Sequence, residues 1–210
     1  MSAEARAPLD AAPHWPGDNH ASTWRTPRRP TRWHRTVTDR LLMNQFDPLR
    51  KLMHADEAVA RFASQPGTVF THGVFDLLHR GHIAHLAEAR GLGDRLVVAI
   101  DSDAFAAGSP MGPGRPVHRE GDRAFQIAAL ESVDAVVILN EPTPIALLSR
   151  LRPSVYVKGD DSDMDKLAES ALVRSWGGHA ITLPFVDGFS TTSLMERLRA
   201  GVRPAAAEQS

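Results

Sequence analysis

From Gly67 onward, short apolar runs rich in β-branched residues alternate with stretches whose apolar positions recur every three or four residues. The runs at Thr68–Thr71, Arg95–Asp101, Ala135–Leu139, Ser154–Lys158 and Ala180–Leu183 read as five strands. Helical spacing falls between them, at about Gly81–Arg90, Arg119–Ser132, Thr143–Leu151, Asp163–Trp176 and Thr191–Arg199. Runs such as RLVVAI and AVVIL have no polar alternation, so both of their faces must be buried. The pattern predicts an α/β fold, a doubly wound, Rossmann-like parallel sheet of five strands with helices on both faces. In such sheets ligands bind beyond the carboxyl ends of the strands, where the strand order reverses.

Before Thr68 the pattern changes. Seven of the fifteen prolines and three of the four tryptophans fall there, and the stretch from Met1 to about Arg40 shows neither period. It reads as an irregular arm. From Thr38 to Ala63, Leu41, Leu42, Phe46, Leu49, Leu52, Met53, Val59 and Phe62 recur at helical spacing, which predicts an amphipathic helix or pair of helices packed on the main domain. The expected organisation is an arm and helical extension over 1–66, a main domain over 67–200 and a tail over 201–210. No internal repeat is visible.

Composition narrows the chemistry. Across 210 residues the formal charge is −1, which argues against a broad polyanion-binding face and makes nucleic acid an unlikely partner. The cluster WRTPRRPTRWHR in the arm is the one candidate patch for RNA or an acidic partner. No cysteine is present, so disulfides, thiolate nucleophiles and cysteine-ligated zinc are excluded. There is no apolar run of membrane-spanning length and no secretory layout, so no membrane association is expected and the expected location is cytoplasmic.

The segment directly after the first strand, from Thr71 to His82 (THGVFDLLHRGH), carries the most chemistry. Gly73 leaves space for a phosphate or base near the backbone, and Gly81 lies where the chain turns into a helix whose first amides can receive an anion. His79 and His82, three residues apart across that turn, can present two imidazole donors to one phosphate. The same pair could supply two metal ligands or be ordinary structural histidines. No third ligand with a helical signature accompanies them, and the two glycines at a strand-to-helix turn favour phosphate.

Four segments extend this reading: FDLLHRGHIAHLAEARGLGDRLVVAIDSD (Phe75–Asp103), GPGRPVHREGDRAFQIAALESVDAVVIL (Gly112–Leu139), EPTPIALLSRLRPSVYVKGDD (Glu141–Asp161) and GGHAITLPFVDGFSTTSLMERL (Gly177–Leu198). With HxGH, GRPV, VKG and STT in this order, the stretch from Thr68 to Leu198 resembles the nucleotidyltransferases of the HxGH, cytidylyltransferase-like family. It is most similar to the adenylyltransferase domain of bacterial ADP-heptose synthesis enzymes, which act on heptose 1-phosphate. The resemblance implies an enzyme that transfers AMP from ATP to a sugar 1-phosphate and releases pyrophosphate. It assigns His79, His82 and Lys158 to catalysis. Gly73, Val74, Phe75, Gly81, Asp101, Arg115, Gly159, Ser190, Thr191 and Thr192 are assigned to the nucleotide, with His72, Asp76, Asp103 and Arg123 as further phosphate or acceptor contacts. Asp76 reads as fixing the loop rather than acting as a base, and Arg123 also suits a helix brace. Ser190–Thr192 equally suits a helix N-cap. Mg²⁺ is implied with ATP and would be carried mainly by the phosphates; no protein ligand is assigned to it. A homodimer is implied, as is a separate sugar kinase, since relatives often carry one fused.

The chain departs from the family pattern at His72 and Val74, where relatives carry Asn and Cys, at Met111, where they carry Lys, and at Asp160–Asp161, where a tyrosine is absent. These departures keep two other readings in play: a cytidylyltransferase for a polyol phosphate, choline-type phosphate or phosphonate, and a non-catalytic nucleotide-binding protein.

Overall fold

The computed structural model describes residues 47–107, 114–159, 163–184, 186 and 188–201. The arm, Met111, Asp160–Asp161 and all but the first residue of the tail lie outside the described residues. Five parallel strands form one sheet: β1 (Thr68–Gly73), β2 (Arg95–Asp101), β3 (Ala135–Leu139), β4 (Val155–Gly159) and β5 (His179–Leu183), in the order β3-β2-β1-β4-β5. The expected α/β sheet is therefore present, and the chain reverses its winding direction between β1 and β4.

Strands β1 to β4 bury residues on both faces because alternate side chains feed two cores, while β5 is only partly covered. Phe70, Val97, Ala99, Val137 and Tyr156 point to one, covered by α1 (Ala55–Phe62), α5 (Ile145–Leu151) and α6 (Ala168–Ser175). Val69, Leu96, Val98, Ile100 and Val157 point to the other, covered by α2 (Arg80–Gly91) and α4 (Glu120–Ala128). The short α3 (Asp103–Ala106) follows β2, and α7 (Thr191–Arg199) closes the described chain.

Boundaries differ from the pattern where local hydrogen bonding overrides it. The helix or pair of helices expected over 38–63, of which 38–46 lie outside the described residues, is a 3-10 turn at Pro48–Lys51 followed by α1. Asp47 caps that turn by accepting from the Leu49 amide, Leu52 then pairs with Val136 as an isolated parallel bridge, and Leu49 is exposed. Met53, Ala58 and Phe62 are integral to the first core. The helix expected from Asp163 starts only at Ala168, because the Asp163 carboxylate accepts from the Asp165 amide and holds a separate turn. Strand β1 runs on to Gly73, since His72 and Gly73 stay in register with Ala99 and Ile100.

That extension opens the functional end of the sheet. Pairing of β1 with β4 stops at Thr71 and Val157, where the Thr71 hydroxyl donates to the Val157 carbonyl at 2.9 Å. Each strand continues to pair with its outer neighbour, β1 to Gly73 and β4 to Gly159. The two central strands thus part at their carboxyl ends.

Candidate active site

A cleft of about 540 Å³ occupies this parting. His72, Gly73, Val74 and Phe75 line it from β1 and the following loop, Lys158 and Gly159 from β4, His79, Gly81, His82 and His85 from α2, and Ser190, Thr191 and Ser193 from α7. Two helix starts converge here. A Cβ placed on Gly81 would come within 3.0 Å of both the His79 ring and the Phe189 carbonyl, so only glycine lets the first turn of α2 sit this close to the approach to α7. Arg80 stacks over the Phe189 ring at 5.3 Å on the same seam. At Gly73 a Cβ would meet only the Phe75 ring, at 3.5 Å, so the missing side chain there widens the cleft rather than relieving a clash.

His79 is the N-cap of α2, and its Nδ1 accepts from the His82 amide at 3.3 Å. With Nδ1 committed as acceptor, the neutral ring carries its proton on Nε2. The His79 and His82 rings stack at 3.8 Å, and Phe75 meets His82 edge-on at 5.5 Å. Burial lowers the pKa of His79. His82 is held down to about 3, by burial first and then by its neighbours His79 and His85, against a small opposing effect of Asp76. Its Nδ1 is buried without a hydrogen-bond partner among the described residues. The pair is thus a stack of neutral imidazoles over a helix start.

His72 is also held to about 3, by burial and then by Lys158. Both are depressed histidines. The unfolded chain takes up protons near the ordinary value of 6.5 that these folded rings refuse, so stability falls as pH falls from 6.5 towards 3. At up to roughly 1.4 kcal/mol per pH unit for each ring, reduced for partial exposure, the expected loss between pH 7 and pH 5 is about 2–3 kcal/mol. Urea denaturation at the two pH values checks this, and unchanged stability would show that the folded rings charge freely.

The loop before His79 is strained and braced. Phe75 and Leu77 have φ of +51° and +49°, a region that non-glycine residues adopt at a cost of about 1–2 kcal/mol each. Three contacts hold it. Arg123 Nη1 donates to the Val74 carbonyl at 2.6 Å, the Thr191 hydroxyl donates to the Asp76 carbonyl at 3.1 Å, and the Asp76 carboxylate ties the loop to the segment 115–118. That carboxylate accepts from Arg115 Nε at 2.6 Å, the Val117 amide at 2.9 Å and the His118 amide at 3.1 Å. Burial alone would raise the Asp76 pKa. The Val117 and His118 amides and the Arg115 guanidinium outweigh it and hold the carboxyl below its usual value.

Arg123 is fully buried and also donates through Nε to the His118 carbonyl at 3.0 Å and through Nη2 to Asp103 at 2.7 Å. It joins the loop, the 115–118 segment and α3. Replacing it with alanine should cost about 3–4 kcal/mol through lost packing and orphaned carbonyls, and Arg123→Lys should recover little because an ammonium cannot reproduce the fork. Chemical denaturation of the two variants measures both, and full recovery by lysine would contradict the bracing geometry.

The structure therefore separates the residues expected at the site into two groups. His72, Gly73, Val74, Phe75, His79, Gly81, His82, Lys158, Gly159, Ser190 and Thr191 come together around the cleft. Asp76, Asp101, Asp103, Arg115, Arg123 and Thr192 do not line it. Asp76, Arg115, Arg123 and Asp103 form the scaffold behind it, and burial raises the Asp101 pKa against the pull of Lys158 and then Arg123. Ser193 stands at the cleft where Thr192 was expected, because Thr192 points outward from the first turn of α7. Ser190 is the N-cap there and accepts from the Ser193 amide at 3.0 Å. His85, six positions beyond His79 on the same helix, was missed; the spacing 79, 82, 85 along one face was its signal.

Chemically, the cleft offers neutral N–H donors, helix-start amides and one lysine, a set suited to a phosphate chain. Among the described residues no group of three or more His, Asp or Glu side chains is placed to hold a metal ion. No helix among them is long and apolar enough to cross a membrane.

Comparison with known proteins agrees with this chemistry. The profile of the cytidylyltransferase-like family matches residues 70–197. Over 133 residues the chain is 50% identical to the D-beta-D-heptose 1-phosphate adenylyltransferase of Bordetella bronchiseptica, covering 63% of this chain and 82% of that protein. Over 157 residues it is 42% identical to the bifunctional protein HldE of Magnetococcus marinus, covering 74% of this chain and 32% of that protein. It thus spans about a third of the length of that bifunctional relative. A lipopolysaccharide core biosynthesis protein of Thermoplasma volcanium superposes with a TM-score of 0.47 at 28% identity, over 58% of this chain and 98% of that one.

Proposed function

The chain belongs to the cytidylyltransferase-like family, and from that membership we propose that it transfers AMP from ATP to heptose 1-phosphate, giving ADP-heptose and pyrophosphate. The carrying observation is the meeting of two helix starts, capped by His79 and Ser190, in the cleft that opens between β1 and β4. The substrate assignment rests on the 50% identity with a heptose 1-phosphate adenylyltransferase.

In this reading an anionic oxygen of the sugar phosphate attacks the α-phosphorus of ATP. A new P–O bond forms, the bond from the α-phosphorus to the bridging oxygen breaks, and pyrophosphate leaves with the electron pair. The acceptor oxygen is already charged, so no general base is needed. Catalysis is then positioning and neutralisation of charge. His79 and His82 donate N–H groups to the charge that grows on the α-phosphate, the first amides of α2 and α7 hold the phosphate chain, and Lys158 meets it from β4. Mg²⁺, the divalent cation in this proposal, would be carried by the triphosphate and would supply charge neutralisation there. The heptose 1-phosphate must come from a sugar-phosphorylating reaction, for which we propose a separate kinase, and a supply of ATP fits a cytoplasmic location. A homodimer belongs to the same proposal.

Pyrophosphate release from a panel of ATP, CTP, GTP and UTP with heptose 1-phosphate, a polyol phosphate and choline phosphate tests the assignment. ATP with heptose 1-phosphate should be the preferred pair, and preference for CTP with another acceptor would overturn it. In the same assay Lys158→Ala should lower turnover roughly ten- to hundredfold, the worth of a charge-assisted contact of about 1.5–3 kcal/mol.

A further inference from the structure

The function described above gives Lys158 a role but does not explain what holds it. A lysine ammonium rides on a flexible four-carbon stem and loses about 2 kcal/mol of rotamer entropy when localised. The end of β4 places it opposite His72, where β1 and β4 no longer pair. Lys158 Nζ lies 3.5 Å from His72 Nδ1 and 3.4 Å from the His72 carbonyl oxygen, so one residue offers it two acceptors. The Tyr156 hydroxyl lies 3.3 Å from the same Nδ1.

We propose that His72 is a positioning residue, which through Nδ1 and its own carbonyl oxygen holds the Lys158 ammonium at the mouth of the cleft. The proposal rests on the reading of Lys158 as a phosphate-contacting group.

The chemistry of the partners sets the state of the ring. An ammonium can only donate, so Nδ1 must be bare and the proton of the neutral imidazole must sit on Nε2. With Nδ1 bare, the Tyr156 hydroxyl, kept protonated as burial, then Glu169 and Asp101, push it above the ordinary value of 10.0, can only donate to it and shares its single lone pair with the ammonium. Burial and Lys158 keep His72 itself neutral. The charges of Lys158 and then Arg123 also act on the Asp101 carboxyl, opposing the rise that burial causes. At His72 the ammonium is therefore received by a neutral ring nitrogen and a carbonyl oxygen. Had His72 been charged, it would have repelled the lysine it now receives.

Two measurements test this. In the unliganded protein, ¹⁵N imidazole resonances, assigned to His72 by comparison with His72→Asn, should show Nδ1 bare and Nε2 protonated, unchanged from pH 8 to pH 5. A proton on Nδ1, or titration near 6.5, overturns the proposal whatever reaction the protein catalyses. In kinetics, His72→Leu should lower kcat/KM by about tenfold, the loss of one such contact. His72→Asn, whose amide oxygen reaches the place of Nδ1, should stay within about threefold of the unmodified protein, while His72→Gln, which reaches the place of Nε2, should behave like leucine. In a Lys158→Ala background His72→Leu should cost nothing further, because residues that act through one another are not additive. Full additivity overturns the proposal. Absence of turnover with ATP and heptose 1-phosphate in the unmodified protein would instead remove the functional reading, and the resonance experiment would still decide the role of His72.

Discussion

Replacing His82 with alanine should reduce kcat for pyrophosphate release by about 10²–10³, with little change in the affinity for ATP, because preorganised donors act mainly on charge that develops in the transition state. The ring is neutral, stacked at 3.8 Å on His79 and turned against Phe75, so it is fixed before substrate arrives. His79→Ala should differ in kind. Its Nδ1 accepts from the His82 amide at the start of α2, so the variant loses a cap as well as a donor, adding about 0.5–2 kcal/mol of destabilisation and a weaker grip on ATP. The double variant should be far less than additive, since each ring orients the other. Steady-state kinetics with calorimetric ATP binding separate these effects; unmodified rates in both single variants would sink the mechanism.

The second large effect is expected at a residue that does not line the cleft. Asp76→Asn should destabilise the protein by about 3–5 kcal/mol, the usual result of removing one partner of a buried ion pair. The side chain of Arg115 is only 7% exposed and that of Asp76 0%. An asparagine would present an amide N–H group to donors that now meet a carboxylate oxygen. Against the roughly 5–15 kcal/mol by which folded proteins are generally stable, this is a large fraction. Because the same residue anchors the strained loop and, through its carbonyl, the start of α7, turnover should fall with stability. The folded pKa of Asp76 is depressed, so its contribution is present above the ordinary value of 3.8 and disappears only as the pH falls through the lower folded value. Urea melts of the two proteins should therefore differ by a constant amount from pH 7 to pH 5 and converge only in strong acid. A difference that closes by pH 5 would mean that the carboxylate is not held as the hydrogen bonds indicate.

Both predictions concern groups whose types were visible in the chain, but only one of their arrangements was. His79 and His82 are three residues apart beside a glycine at a strand-to-helix turn, and helical geometry over so short a span leaves little freedom. Asp76 is different. Its partner Arg115 is 39 positions away, the partner of Arg123 on the loop, Val74, is 49 away, and Thr191 reaches Asp76 across 115. No local pattern records such pairs. Arg115, expected at the nucleotide, and Arg123, expected as a phosphate contact or a helix brace, are both tied into the scaffold that shapes the loop.

The amino-acid sequence alone determined the α/β class, the five parallel strands and the position of the phosphate-type loop, because burial on both faces and helical periodicity are local consequences of residue type. It also carried the family membership through motifs in order. Tertiary structure alone decided that Phe75 and Leu77 take left-handed conformations, that Ser193 rather than Thr192 faces the cleft, and that His72, Tyr156 and Lys158 meet where β1 and β4 part. Those outcomes depend on contacts between segments far apart in the chain. Such contacts form only once the sheet has fixed which strands are neighbours, and their strength can override the preference of any single residue.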